Sequence, residues 1–244
     1  MARTATANPL ARGFYTVPEA ARLIRVGRAR RIYGWLRGYP QRKIGPLLER
    51  DYEPFDSLEE LSFLDLMEVR FVEHFREHGV KGRSLRIAAD QLRRELKTPH
   101  PFASEHVHVI ADKADIMIEE ILRASAEQAG DKRLRSLLTQ NYVMYEAIKQ
   151  TLLPGVTFGA RDHLAERWVP VPKKFPTIAV DPRIAYGQPA GPTGIPTHAL
   201  YDAWKAEGEN PDAVAYWYEI PTTDVLNAVK FERLLDEPRQ EQAA

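Results

Sequence analysis

Residues 16–38 read TVPEAARLIRVGRARRIYGWLRG, and the way this stretch folds decides the architecture of the chain. Thr16 followed three residues later by Glu19 has the spacing of a capping box, in which each residue satisfies a free backbone N–H of the other's turn. Val17, Ala20, Ala21 and Ile24 then recur at i, i+3, i+4 and i+7, one face of a helix. Gly27 interrupts, as a tight turn requires. A second helix is predicted from about Arg28 to Arg37. Two short helices around such a turn form a helix-turn-helix, whose second helix enters the DNA major groove.

At about 100° per residue, Ala29, Ile32, Trp35 and Leu36 gather on one side of the second helix. Arg30, Gly34 and Arg37 gather on the other, flanked by Arg31 and Tyr33. From Arg22 to Gly38 there are six arginines and no acid. Gly34, in the middle of the arginine face, costs about 1 kcal/mol of helix propensity relative to Ala. It has a purpose if another surface approaches closely there. The expectation is that Arg22, Arg28, Arg42 and Lys43 contact phosphates. Arg30 and Arg37 read base edges, and Arg31 or Tyr33 does either. This requires the guanidinium groups to be exposed and not held by carboxylates of the same chain.

Outward from this stretch, residues 38–55 hold too many helix breakers and read as a short hairpin or wing, with Arg42 and Lys43 at its base. A long helix is predicted from about Leu58 to His78. Its apolar residues cover two sides, so it is buried between two neighbours. Leu85, Ala88, Ala89, Leu92 and Leu96 mark another helix, stopped at Thr98-Pro99. Alternation of His106 and His108 with Val107 and Val109 predicts a strand that pairs with Ile116–Ile118. Residues 120–153 look helical, and Trp168-Val169 reads as a further strand. The segment 181–196 has four prolines and three glycines. With Ile184, Tyr186 and Ile195 in it, it reads as an ordered, turn-rich loop rather than a linker. Three helices follow: one capped by Thr197 and ending near Glu207, one starting at Asn210-Pro211, and one after Pro221-Thr222-Thr223. Val214, Trp217 and Tyr218 supply the apolar face of the second.

The organisation expected is thus a flexible arm (1–14), a winged helix-turn-helix (15–99), a small α+β connector (100–175), a C-terminal three-helix bundle (176–237) and a tail (238–244). The fold class is mainly α. The arm could also be read as a transit peptide, since it is basic and free of acids.

The chain has 34 basic and 34 acidic side chains and no cysteine. Disulfides and thiolate zinc sites are excluded, and a reducing cytoplasm fits best. No run of about 18 apolar residues is present to span a membrane. The neutral total hides a gradient. Residues 1–50 carry eleven bases against two acids, a net charge of +9. Residues 199–237 carry three bases against nine acids, a net charge of −6. Ends so unlike suit different partners.

Other constellations are weaker. His74, Glu77 and His78 match the H-x-x-E-H pattern of inverted zinc peptidases. His78 next to Gly79 is better explained as a helix-end cation. His106 and His108 fall on the same side of the predicted strand with His100 nearby; three His could bind a metal, but a polar sheet face is the preferred reading. No metal, cofactor or catalytic residue is expected. Trp204, Trp217 and Tyr218 at helical spacing read as core or interface rather than a ligand cage.

Two stretches resemble known modules. Tyr15–Ile24, Arg30–Tyr39, Leu61–Val80 and Ser84–Leu96 resemble the MerR-like helix-turn-helix. Asp181–Gly187, Gly194–Thr197, the run Val214–Tyr218 and the helix with Val225, Ala228, Phe231 and Glu232 resemble the small C-terminal domain of some VapB-type antitoxins. His100–Glu119 resembles the middle of such two-part antitoxins. The loop Gln188–Pro192 departs from the pattern. The resemblance implies an antitoxin that represses its own operon and neutralises a PIN-like ribonuclease toxin; a homodimer is expected because a two-fold protein reads two operator half-sites. Tyr201, Trp204, Trp217, Tyr218, Arg233 and Arg239 are then the expected toxin or dimer contacts. Arg233 or Arg239 would meet the metal-binding acids of the nuclease. The alternative is a MerR-like regulator that responds to a small ligand.

Overall fold

The structure is a computed structural model that describes residues 12–53, 59–108, 121, 123–131 and 154–237. Among these residues the fold is mainly helical, with two small antiparallel sheets. Strand β1 (Tyr15–Thr16) pairs with β2 (Glu60–Leu61) and leads straight into α1 (Val17–Ile24). The capping box at its start is formed: the Glu19 carboxylate accepts the Thr16 N–H at 2.7 Å, and the Glu19 N–H donates to Thr16 Oγ1. The helix stops at Arg25, which takes the left-handed conformation (φ 60°). The turn was expected at Gly27, whose φ is not positive; Arg25 ends the helix because its N–H can close on the carbonyls of Ala21 and Arg22.

Helix α2 (Arg30–Arg37) buries Ile32, Trp35 and Leu36 as its periodicity requires. It ends on Gly38 (φ 71°), where a Cβ would lie 2.4 Å from the Ile44 carbonyl oxygen, so only glycine fits. The chain after it turns back as the short hairpin rather than an extended wing. Tyr39 and Ile44 exchange backbone hydrogen bonds across a tight loop, and the N–H groups of Leu47 and Leu48 return to the free carbonyl of Trp35.

Helix α3 (Phe63–Glu77) begins later than expected because Ser62 and Asp65 form a second capping box. It is buried nearly all round, as its two apolar sides predict, and buries Asp65, Glu68, Arg70, Glu73 and His74 as well. Helix α4 (Gly82–Leu96) packs Leu85, Ala88, Ala89 and Leu92. The predicted strand at 106–109 is not formed: residues 105–108 are the short helix α5 (Glu105–His108). A helical turn is available there because Ser104 accepts the His106 N–H through its side chain and the Val107 N–H through its carbonyl. Residues 109–120, the other half of that hairpin, lie outside the described residues, as does most of the helix expected over 120–153.

Strands β3 (Val156–Phe158) and β4 (Ala165–Trp168) make the second sheet, and Val180 adds a bridge to Trp168. The turn-rich segment 181–196 is ordered. Ala190 pairs with Ala179 and Pro196, and the loop is seated on the N-terminal strand. Tyr15 donates its hydroxyl to the Gly187 carbonyl at 2.7 Å, and the Phe14 N–H donates to Tyr186 O. Helices α6 (Thr197–Ala206), α7 (Pro211–Tyr218) and α8 (Thr222–Asp236) form the expected bundle. Thr197 does not cap α6 with its side chain; its hydroxyl is drawn instead to buried Glu232.

Two apolar clusters result. The larger joins α1–α4 to Phe102, Trp168, Phe175 and Val180. The smaller holds Leu200, Trp204, Val214, Val225 and Val229. Helix α8 belongs to both: Val225, Ala228 and Val229 face the small cluster, whereas Phe231 and Leu235 pack in the large one. The C-terminal bundle is therefore fastened to the N-terminal helices by its last two turns.

Candidate functional site

The arginines of the opening stretch divide into two groups. Arg22 points to α8: Nη1 donates to Glu232 Oε2 at 2.6 Å, Nε to Asp236 Oδ1 at 2.8 Å, and Nη2 to the Glu232 carbonyl. These carboxylates hold the Arg22 guanidinium above its usual range against the opposing effect of burial. Arg25 donates to the Glu237 carbonyl. Arg31 pairs with Glu73 at 2.7 Å. Arg37 pairs with Glu59, which Arg50 also meets, and lies over the Tyr33 ring. The acids Glu59, Glu73 and Glu232 are all buried, and a buried carboxylate left without a cation is costly. Arg22 is therefore corrected from a phosphate contact to a tie between helices, Arg37 from a base reader to a partner of Glu59, and Arg31 to a partner of Glu73.

Arg28, Arg30, Arg42 and Lys43 are exposed, and among the described residues none has a carboxylate within ion-pair distance. They lie on α2, just before it, and on the loop after it. Gly34 is also reassigned. It is buried under Tyr39 of the same chain, and a Cβ on it would lie 2.2 Å from the Tyr39 hydroxyl. The close approach inferred from the glycine exists, but the approaching surface is the returning loop.

In the C-terminal bundle, Trp204 is core, with the Tyr201 ring stacked 5.8 Å away and the Arg233 guanidinium over its ring at 4.8 Å. Val214 faces the core as predicted, whereas Trp217 is 69% exposed and Tyr218 40%. Tyr216, which sequence periodicity did not single out, is 78% exposed and meets Trp217 edge-on. Arg239 lies outside the described residues.

A third feature was not read from the sequence. Asp51, Asp65 and His100 converge, together with Glu68, beneath a cavity of about 380 Å³. Arg12, Asp51 and His100 line one side of it, and Asp162, Glu166 and Arg183 the other. Asp65 is placed by its capping role on α3, and Glu68 lies one turn further along the same helix. His100 is delivered by the turn after α4. Its Nε2 is 3.3 Å from Asp51, and its Nδ1 is 3.4 Å from Glu68 and 3.6 Å from Asp65. Burial pushes the Asp65 carboxyl up to about 6. Burial would lower the His100 imidazolium, but Asp51 and Glu68 outweigh it and raise it to about 10. Burial likewise opposes ionisation of Asp51, yet His100 holds that carboxyl below its usual value. The positions 51, 65, 68 and 100 have no regular spacing, so only the fold brings them together. Groups of this kind do not form at the H-x-x-E-H segment. There His78 Nδ1 closes on the His74 carbonyl at 2.7 Å as a helix-end contact. His106 sits 4.7 Å from the His163 ring rather than on a strand face.

No protein-family model matches the chain, and no curated protein matches it. Among solved structures it is similar to the X-ray crystal structure of Rv2018 from Mycobacterium tuberculosis. The two are 24% identical with a TM-score of 0.63, over 91% of this chain and 98% of that one. The chain shares the fold of Rv2018.

Proposed function

We propose that this chain is a DNA-binding antitoxin of the cytoplasm. It acts as a homodimer on operator DNA through an N-terminal MerR-like helix-turn-helix, and it captures a PIN-like ribonuclease toxin through its C-terminal part. The observation that carries the reading is the set of cations that, among the described residues, have no carboxylate within ion-pair distance. Arg28, Arg30, Arg42 and Lys43 remain exposed on α2 and its flanks, although buried Glu59, Glu73 and Glu232 have each drawn in an arginine. Four unpaired cations on one short helix and its flanks suit a polyanionic duplex, because each phosphate contact releases condensed counterions. Arg30 is the remaining candidate for a base edge, and Arg28, Arg42 and Lys43 for phosphates. Fluorescence anisotropy with DNA from upstream of the gene tests this. Arg30→Ala is expected to weaken binding by about 1–3 kcal/mol and relax sequence preference at one position. Unchanged affinity for that DNA would remove Arg30 from the interface.

The partner surface is assigned to α7, where Tyr216, Trp217 and Tyr218 are exposed side by side. Exposed aromatics of this kind are typical anchors of protein interfaces. Co-expression with the product of the adjacent gene tests it: the two should co-purify, and Trp217→Ala should abolish the association without unfolding the chain.

A second reading, the ligand-responsive regulator, is favoured by the cavity above His100. Its volume is within the usual range of small-molecule sites, and it has charged groups on both walls.

A further inference from the structure

We propose that Asp51, Asp65 and His100 form a binding site for one divalent transition-metal cation, entered from the cavity between the N-terminal helices and the β3–β4 hairpin. One donor atom from each of the three lies within 4.8 Å of the other two, a spacing that a single ion with bonds of about 2.0–2.2 Å can bridge after small adjustment. The donor set is one imidazole and two carboxylates, which suits Zn²⁺, Mn²⁺ or Fe²⁺ rather than Ca²⁺.

A cluster of acids would not by itself make a site, but here two buried donors point inward without a hydrogen-bond partner. Asp65 is fully buried, and only its Oδ2 is engaged, accepting the N–H groups of Ser62 and Asp51; Oδ1 has no hydrogen bond. His100 is 2% exposed, and its Nε2 has none either. The contacts of 3.3–3.6 Å around the ring are longer than charge-assisted hydrogen bonds, which run at about 2.7–2.9 Å. Buried polar atoms in native proteins are nearly always satisfied. An ion would satisfy both orphans at once.

Glu68 supplies the supporting contact. Its Oε1 is fixed by the Phe102 N–H at 3.0 Å, and its Oε2 faces His100 Nδ1. A carboxylate on one ring nitrogen sets the tautomer that leaves the other, Nε2, free to ligate. Charge also closes. Asp51, Asp65 and Glu68 are three carboxylates; a divalent cation that displaces the His100 imidazolium proton, together with the Arg12 guanidinium 3.3 Å from Asp51, balances them. Asp51 and His100 line the cavity, which gives the ion an entry path and leaves room for water or a small ligand on its open side. The site does not depend on whether the chain binds DNA.

The test is calorimetric titration of the full chain, freed of metal by chelator, with Mn²⁺ and with Zn²⁺. The expected result is one equivalent bound per chain by at least one of them. Asp51→Asn and His100→Gln should each weaken it by about tenfold or more, and His78→Gln should leave it unchanged. Asp51 lies at the cavity wall, so Asp51→Asn is the variant expected to keep the fold, checked by circular dichroism of the metal-free protein. If His100→Gln does not fold, Asp51→Asn decides. Absence of stoichiometric binding, or binding that Asp51→Asn leaves unchanged, overturns the site. The four groups are then a proton-balanced network only.

Discussion

Arg22 and Glu232, 210 residues apart in sequence, are joined by a 2.6 Å ion pair that ties the first helix of the chain to the last. Glu232 is buried and also accepts the Thr197 hydroxyl, so one carboxylate connects α1, α6 and α8. Glu232→Gln removes the charge while keeping the shape. It leaves the half-exposed Arg22 with Asp236 as its one carboxylate, a surface partner whose pairing is screened. A loss of about 1–3 kcal/mol is expected, below the full cost of a buried pair because Arg22 keeps contact with water. Urea denaturation checks this, and a change under about 0.5 kcal/mol would mean that the tie is not structural.

The division of the arginines predicts a division of phenotypes. Arg31→Ala deprives buried Glu73 of its guanidinium and should lower stability by about 1–3 kcal/mol. Arg30→Ala, Arg42→Ala and Lys43→Ala remove exposed, unpaired cations and should each stay within about 0.5 kcal/mol of wild type. Each of these three should instead reduce affinity for duplex DNA. Without its phosphate partner at Arg42 or Lys43, the complex should show a salt dependence shallower by about one. Parallel melts and salt titrations of the four variants would expose any mixing of the two groups.

Gly34 and Gly38 sit four residues apart and should differ in their response to alanine. The obstacle to a Cβ at Gly34 is the tip of the Tyr39 side chain, itself 42% exposed. Tyr39 can swing away, and alanine gains about 1 kcal/mol of helix propensity. Gly34→Ala is therefore expected within about 1 kcal/mol of wild type. At Gly38 the obstacle is backbone and φ is 71°, so Gly38→Ala should cost about 2–3 kcal/mol or more. Thermal melts of the two single variants make the comparison.

Asp181 gives a pH prediction. The Arg183 guanidinium and backbone N–H both donate to it, with the side-chain pairing the main reason that its carboxyl is held below the ordinary value. A depressed folded-state value contributes stability that is complete above the unfolded value of about 3.9. It is lost as the pH falls through the lower folded one. Asp181→Asn should therefore be less stable than wild type at pH 6, with the gap closing towards pH 2. A gap that stayed constant across that range would assign the effect to shape rather than charge.

Local features of the fold were legible because their causes are local. The Thr16–Glu19 capping box, the buried face of α2 at Ile32, Trp35 and Leu36, and the double-sided burial of α3 follow from residues within a turn or two of each other. So does the ordering of 181–196, where Ile184 and the prolines disfavour a free linker. The misreadings came where short-range pattern competes with distant contacts. Alternating Val107 and Val109 suggested a strand, but the side chain and carbonyl of Ser104 supply helical hydrogen bonds at 105–108. Trp217 matched a helical face, yet in α7 only Val214 and Ala215 are buried and Trp217 faces out.

From the sequence alone came the charge gradient, the helix starts and the positions where the chain must turn, since propensity and capping act over a few residues. Which arginines are held by carboxylates was decided only in three dimensions. Glu59, Glu73 and Glu232 are remote in sequence, and once folding takes a carboxylate out of water the nearest guanidinium must follow it. The same holds for Asp51, Asp65 and His100, which nothing but the packing of α3 against the turn after α4 brings within reach of one another.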